Sequence, residues 1–297
     1  MKKTLSLLAL SLVCSGGLAA QAPPKEAKAS DVRTRDIYVS VVNDKGEAAT
    51  GLTAADFSVR EGGAAREVLR AGPAVKPLDV TFLVDDSQAA TAAIPFIRDG
   101  LSTFIDRMQG KAAIGIVTIG ERPTNVVQRT TEAANAKKAI GRIFARPGSG
   151  AYLLEGISEV ARGFQKAEAE RPVIIAITTE GVEFSNLQHE RVLKDLHASG
   201  AVLHVLALGT PSADLSDEMR QRNLLLSDGT VQTGGRREQL LTPMAITQAL
   251  EKLAGELLNQ YVVTYGRPDT LIPPDKIEVK TTKPGLTARA RTRLTGK

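Results

Sequence analysis

Hydrophobic and polar positions change period along the chain. Residues 37–42 form a β-branched, apolar run closed by Asn43-Asp44-Lys45-Gly46, a turn signal. Residues 57–60 alternate apolar and polar before Glu61-Gly62-Gly63, and Val68-Leu69 starts a third short strand. From Pro77 onward, apolar runs predict buried strands at 78–84, 112–119, 173–177 and 202–208. Between them the apolar positions repeat every three or four residues, as in Ile94, Ile97, Leu101, Phe104, Ile105 and Met108. That spacing predicts helices over 94–108, 132–144, 152–164 and 186–199, with a short strand at 125–128. Residues 210–241 read as a polar, irregular excursion with turns at Asp228-Gly229 and Gly234-Gly235. Thr242 and Pro243 then open a helix whose stripe is Ile246, Leu250, Leu253 and Leu257. Residues 260–265, 276–281 and 286–294 return to strand character.

Buried strands alternating with amphipathic helices predict an α/β fold with a doubly wound, mostly parallel sheet. The β-rich pieces on either side are expected to pair with each other. The α/β unit would then be inserted in a small β-sandwich formed by N- and C-terminal strands. The boundaries read as 36–75 and 259–297 for the sandwich strands and 76–258 for the α/β unit.

The first residues carry a different signal. Lys2-Lys3 precedes a short apolar run, 5–13, and then small residues including Ala20-Gln21-Ala22. This is the pattern of a signal peptide, 1–22, followed by a linker, 23–35. Export to the periplasm or the extracellular space is therefore expected. A lipid anchor on Cys14 is disfavoured by the bulky Val13 before it. No later run reaches 18 apolar residues, so no transmembrane segment is expected.

Composition narrows the chemistry. Cys14 is the single cysteine, which excludes a disulfide framework and a cysteine nucleophile in the body of the chain. Loss of Lys2 and Lys3 lowers the formal charge from +5 to +3, too little to imply nucleic acid. The three histidines, 189, 197 and 204, lack metal-ligand spacing. No nucleophile elbow, phosphate loop or zincin motif occurs, so no enzyme is expected. Arg289, Arg291 and Arg293 alternate along the last strand, so a basic strand facing an acidic surface competes with an ordinary solvated edge.

Ligands of an open parallel sheet bind beyond the carboxyl ends of its strands. That places Asp85-Asp86-Ser87-Gln88-Ala89, Gly148-Ser149-Gly150-Ala151 and Thr178-Thr179-Glu180-Gly181 on one rim. "PLDVTFLVDDSQA", "PGSGAYLLEGI" and "IIAITTEGVE" occur in that order. They lie between "VVNDKGEAATGLTAADFSVREGGAAREV" and the closing pieces "TGGRREQLL" and "LLNQYVVTYGRP". Together they resemble the bacterial secreted VWFA-related family, built on the von Willebrand factor type A domain. The resemblance covers nearly all of the chain after the leader.

It implies a metal-ion-dependent adhesion site of the form Asp-x-Ser-x-Ser with a Thr and an Asp. Asp85 and Ser87 match the first two positions, but the second Ser falls on Ala89, the Thr on Ala151 and the last Asp on Glu180. The resemblance therefore implies a degenerate metal site of Asp85, Ser87 and Glu180. Asp86, Gln88, Ser149 and Tyr152 surround it as a partner-binding rim. The expected function is non-enzymatic binding of a protein partner at that edge, with no cofactor. The alternatives are a weakly held Mg²⁺, Mn²⁺ or Ca²⁺ in a distorted site, and an envelope scaffold that uses the basic strand.

Overall fold

The computed structural model describes residues 33–211, 216–267 and 276–294. The expected signal peptide, its cleavage point, Cys14 and most of the linker lie outside the described residues.

Six strands make the central sheet: β5 (Leu78–Val84), β6 (Ala112–Thr118), β7 (Thr124–Thr130), β8 (Pro172–Thr179), β9 (Val202–Leu208) and β10 (Arg237–Leu240). Their order is β10-β9-β8-β5-β6-β7. Every pairing is parallel except β6 with β7. β8 is buried at every position, the pattern of a strand covered on both faces. One face packs α1 (Ile94–Met108), α2 (Ala133–Ile140) and α6 (Ala245–Leu258), with Phe82 edge-on to Phe104 at the centre. The other packs α3 (Leu153–Lys166), α4 (His189–Ser199) and α5 (Asp217–Thr233). The order reverses at β5, whose neighbours β6 and β8 lie on opposite sides, so the crevice expected of such a sheet opens at its carboxyl end.

Two antiparallel sheets from the chain's two ends form the sandwich. One has the order β13-β1-β11-β4, with β1 (Arg33–Asn43), β4 (Val68–Pro73), β11 (Tyr261–Arg267) and β13 (Leu286–Arg289). The other has β12-β2-β3, with β2 (Phe57–Glu61), β3 (Ala64–Arg66) and β12 (Ile277–Thr281). Val39, Phe57, Val59, Val263 and Tyr265 share one buried core. Arg171 ties this unit to the α/β layers. Its guanidinium donates to the carbonyls of Ala74, Lys76 and Leu257 and to Gln260 Oε1, at 2.6–3.2 Å, and lies over the Tyr38 ring.

Several expectations need correction. β1 begins at Arg33, which pairs with Arg267, so the linker ends before residue 35. The helix expected over 132–144 stops at Ile140. α6 starts at Ala245, leaving Pro243 in the turn before it. The largest difference is α5, a 17-residue helix inside the stretch read as irregular. Ser216 caps it by accepting the Met219 N–H, and Gly234, with φ of 84°, ends it. Its buried face includes Gln221, Arg222, Thr230 and Thr233, so no apolar stripe marks it. Gly229 sits within the helix, where a Cβ would stand 3.1 Å from Leu203 Cδ2. β10, in the same stretch, was not expected either.

Candidate functional site

The three rim segments do converge at the carboxyl end of the sheet, but most of their polar groups face one another. Asp85 is buried at the end of β5. Its Oδ1 accepts the Ser87 N–H at 2.9 Å. Its Oδ2 accepts the Thr179 N–H at 2.9 Å and the Thr179 hydroxyl. Both oxygens are therefore engaged. Asp86, expected on the partner-binding rim, is also buried: Oδ1 accepts the Gly120 N–H at 2.6 Å and Oδ2 pairs with Arg146 Nε at 2.9 Å. That hydrogen bond raises the Arg146 pKa above its ordinary value. Gly120 has no room for a side chain, since a Cβ would stand 2.5 Å from Asp86 Oδ1 and 2.7 Å from the Ser87 nitrogen.

Gln88, exposed, accepts the Gly148 N–H and so joins the first loop to the second. Ser149 Oγ donates to the Arg146 carbonyl. Tyr152 is half-buried and packs against Phe184 with ring centroids 5.9 Å apart. Ala151 bridges to the third loop, its N–H donating to the Val182 carbonyl. Ala89 lies against Gly181, where an added Cβ would come within 2.5 Å of the Ala89 Cβ.

Glu180, at the position of the family's last Asp, is withdrawn from solvent: its side chain is 7% exposed. Its Oε2 lies 3.3 Å from Arg222 Nη1 and its Oε1 lies 3.8 Å from Arg237 Nη2. Burial, then the neighbouring charge of Arg222, depresses the Arg237 pKa against the pull of Glu180. Two further residues escaped the sequence reading. Arg222 reaches the loop from α5, and Glu183 caps α3. Glu183 Oε1 accepts the N–H groups of Leu153 and Ser185 and the Ser185 hydroxyl, while Ser185 Oγ accepts the Leu154 N–H. A carboxylate there suits the positive end of the helix. Burial pushes the Glu183 pKa up to about 7, opposed by Ser185, the Leu153 N–H and Arg222. The signal for Arg222 was the pair of helix ends, Ser216 with Asp217 and Glu218 after it and Gly234 eighteen residues on from Ser216.

The residues present fit a divalent cation poorly. Asp85 and Asp86 already accept internal donors, Ala89 and Ala151 bring no side-chain oxygen, and Glu180 faces two guanidinium groups. Ser87 Oγ is buried with no hydrogen-bond partner among the described residues. No cluster of three histidine, cysteine or acidic side chains suited to a metal occurs among the described residues.

The basic strand also differs from its expectation. β13 ends at Arg289, whose Nη2 pairs with the buried Glu256 at 2.6 Å. Arg291 is half-buried beside the Gly200 turn, and Arg293 is exposed. His189 and His197 join α4 to α5 through Gln221 and Gln232.

Two hollows flank the centre. One is lined by Tyr152, Val182, Glu183, Phe184 and Ser216, the other by Ala89, Thr179, Leu208, Leu241 and Pro243. Val182 is 59% exposed, Leu241 76% and the neighbouring Met244 70%.

Comparison with known proteins agrees with this geometry. Residues 79–225, which hold β5 to β9 and all three rim segments, match the family model of the von Willebrand factor type A domain. The chain contains a von Willebrand factor type A domain. The von Willebrand factor type A structure from Catenulispora acidiphila is similar over 90% of this chain and 73% of its own, with 12% identity and a TM-score of 0.51. BatB from Bacteroides thetaiotaomicron is 17% identical over 61% of this chain and 98% of its own, with a TM-score of 0.47. The pilus adhesin SpaC of Lactobacillus rhamnosus GG, in its open conformation, is 12% identical over 86% of this chain and 42% of its own, with a TM-score of 0.49. At 12% identity, the likeness to the Catenulispora acidiphila structure speaks to the fold alone. No curated protein matches the chain. Among the described residues, no helix of this type A domain protein is long and apolar enough to cross a membrane.

Proposed function

We propose that this is an exported, non-enzymatic interaction domain that binds a protein partner at the carboxyl edge of its central sheet, without a bound divalent cation. The observation that carries the reading is the inversion of the rim. Its carboxylates are turned inward onto protein donors, while Val182, Phe184, Leu241 and Met244 are turned out around them. An exposed apolar ring about a polar centre whose carboxylates face inward suits association with another protein surface.

One observation favours the cation-dependent alternative. Ser87 Oγ lacks a partner at the position where a ligand hydroxyl is expected. The basic-strand alternative is weakened by the pairing of Arg289 with Glu256 and by the half-buried position of Arg291.

The test is capture of partners from envelope extract by the wild-type chain and by a Val182→Asp/Phe184→Asp/Met244→Asp variant, each in EDTA and in Mg²⁺. A partner retained in EDTA and lost in the variant is the expected result. A partner seen only with Mg²⁺, or lost instead on reversal of Arg289, Arg291 and Arg293 to Glu, would overturn the reading.

A further inference from the structure

The loop after β8 carries two carboxylates into nearly dry surroundings. The side chains of Glu180 and Glu183 are 7% and 1% exposed. A buried carboxylate without a compensating charge is strongly unfavourable, so the fold must bring a cation to this loop. Two cations serve it: Arg237 Nη2 stands 3.8 Å from Glu180 Oε1 and is 27% exposed, whereas the buried one that reaches both carboxylates is Arg222. Its side chain, 1% exposed, stands 3.3 Å from Glu180 Oε2 through Nη1 and 3.8 Å from Glu183 Oε2 through Nε. Nη2 donates to the Thr179 carbonyl at 3.2 Å and lies 3.4 Å from Thr178 Oγ1. The guanidinium is therefore surrounded by two carboxylates, a carbonyl and a hydroxyl. Such oxygens are the donor type a hard divalent cation takes.

The arrangement also joins two parts of the rim. Asp85 holds Thr179 by its N–H and hydroxyl, and Arg222 holds the same residue by its carbonyl. The β5 loop and α5 thus grip Thr179 together.

We infer that Arg222 is the internal cation of this rim, standing in for a divalent ion and fixing the loop carboxylates in one arrangement at any divalent concentration. The inference rests on the cation-independent reading above, yet it can fail while that reading stands. An arginine supplied by the chain cannot dissociate, so the rim would be insensitive to chelators in a way that an ion-filled rim is not.

The experiment is thermal unfolding and Mn²⁺ binding, followed by electron paramagnetic resonance, on the full chain at about pH 8, above the value to which burial lifts Glu183. The wild type should show the same midpoint in EDTA and in millimolar Mn²⁺, and no bound Mn²⁺. Arg222→Ala removes the charge and leaves its space. It should melt lower in EDTA, recover part of the loss in Mn²⁺ and bind about one ion per chain. Arg222→Met/Glu180→Gln/Glu183→Gln removes all three charges together. It should melt well above Arg222→Ala in EDTA and ignore Mn²⁺. Should Arg222→Ala not fold, the triple variant decides: a wild-type-like midpoint supports the inference and failure to fold overturns it. An Arg222→Ala chain as stable as wild type, or one that Mn²⁺ neither binds nor rescues, overturns it as well. Mn²⁺ bound by the wild type and lost in Asp85→Asn would overturn the cation-independent reading itself.

Discussion

His204 offers a quantitative check of the buried polar groups. It lies on β9 and is fully buried. Neither ring nitrogen has a hydrogen-bond partner among the described residues. The charged groups around it are Glu256 on α6, Arg289 on β13 and Arg236 just before β10. Burial depresses its pKa from 6.5 to about 4, with the two arginines adding to the shift and Glu256 opposing it. Glu256 in turn is raised by burial but held below its usual range by the positive charge around it. A ring that stays neutral to about pH 4 cannot supply charge at neutral pH, so the ion pair with Arg289 at 2.6 Å is what keeps Glu256 ionised there.

The sign follows from proton counting. As pH falls below 6.5 the unfolded chain protonates this ring, while the folded chain does not until about 4. The unfolded state then binds more protons, so folding stability drops across that window. A gap of about 2.5 pH units at about 1.4 kcal/mol each gives a loss of about 3.5 kcal/mol. For a chain of this size that corresponds to about 7–14 °C in the melting midpoint. The assay is denaturant unfolding at about pH 7.5 and about pH 4.5 for wild type and His204→Leu. Leucine keeps much of the volume and removes both unpaired nitrogens. The variant should be at least as stable at the higher pH and lose about 2–3 kcal/mol less on acidification. Parallel losses in the two proteins would refute a buried, neutral His204.

Glu183 should act in the opposite direction. Its folded pKa of about 7 exceeds the ordinary 4.5, so the folded chain binds more protons between those values and stability falls as pH rises. Glu183→Gln should flatten that slope in the same denaturation series, and an unchanged slope would contradict the burial argument. Arg171→Met should cost about 2–4 kcal/mol by stranding the carbonyls of Ala74, Lys76 and Leu257. It should also speed proteolytic cleavage in the exposed 73–77 connection, and cleavage no faster than wild type would show that Arg171 does not secure this junction. Gly120→Ala should lower stability by about 1–3 kcal/mol, because its Cβ would run into Asp86 and the Ser87 nitrogen. A variant with an unchanged midpoint and unchanged partner capture would mean that the rim loops yield easily.

Much of the architecture was legible before the tertiary structure. The runs at 78–84, 112–119, 173–177 and 202–208 became β5, β6, β8 and β9 because a strand covered on both faces must be apolar throughout. The Ile94-to-Met108 stripe became α1 for the equivalent reason at helical period, and every residue of that stripe is buried. Order and period also located the rim, since the ends of parallel strands fall on one edge. α5 was illegible because its buried face is half polar. Arg222, Gln221, Thr230 and Thr233 look like surface residues in any scale of hydrophobicity.

The sequence by itself determined the chain's layers, the two-part sandwich at its ends and the place where three loops meet. Those follow from local periodicity and short-range turn chemistry. The tertiary structure alone decided what the loops do with their charges. Asp85 is 94 residues from Thr179, and Arg222 is 42 from Glu180. Whether a carboxylate faces water, an ion or a guanidinium depends on which distant side chain the fold delivers, and on how little solvent remains when it arrives.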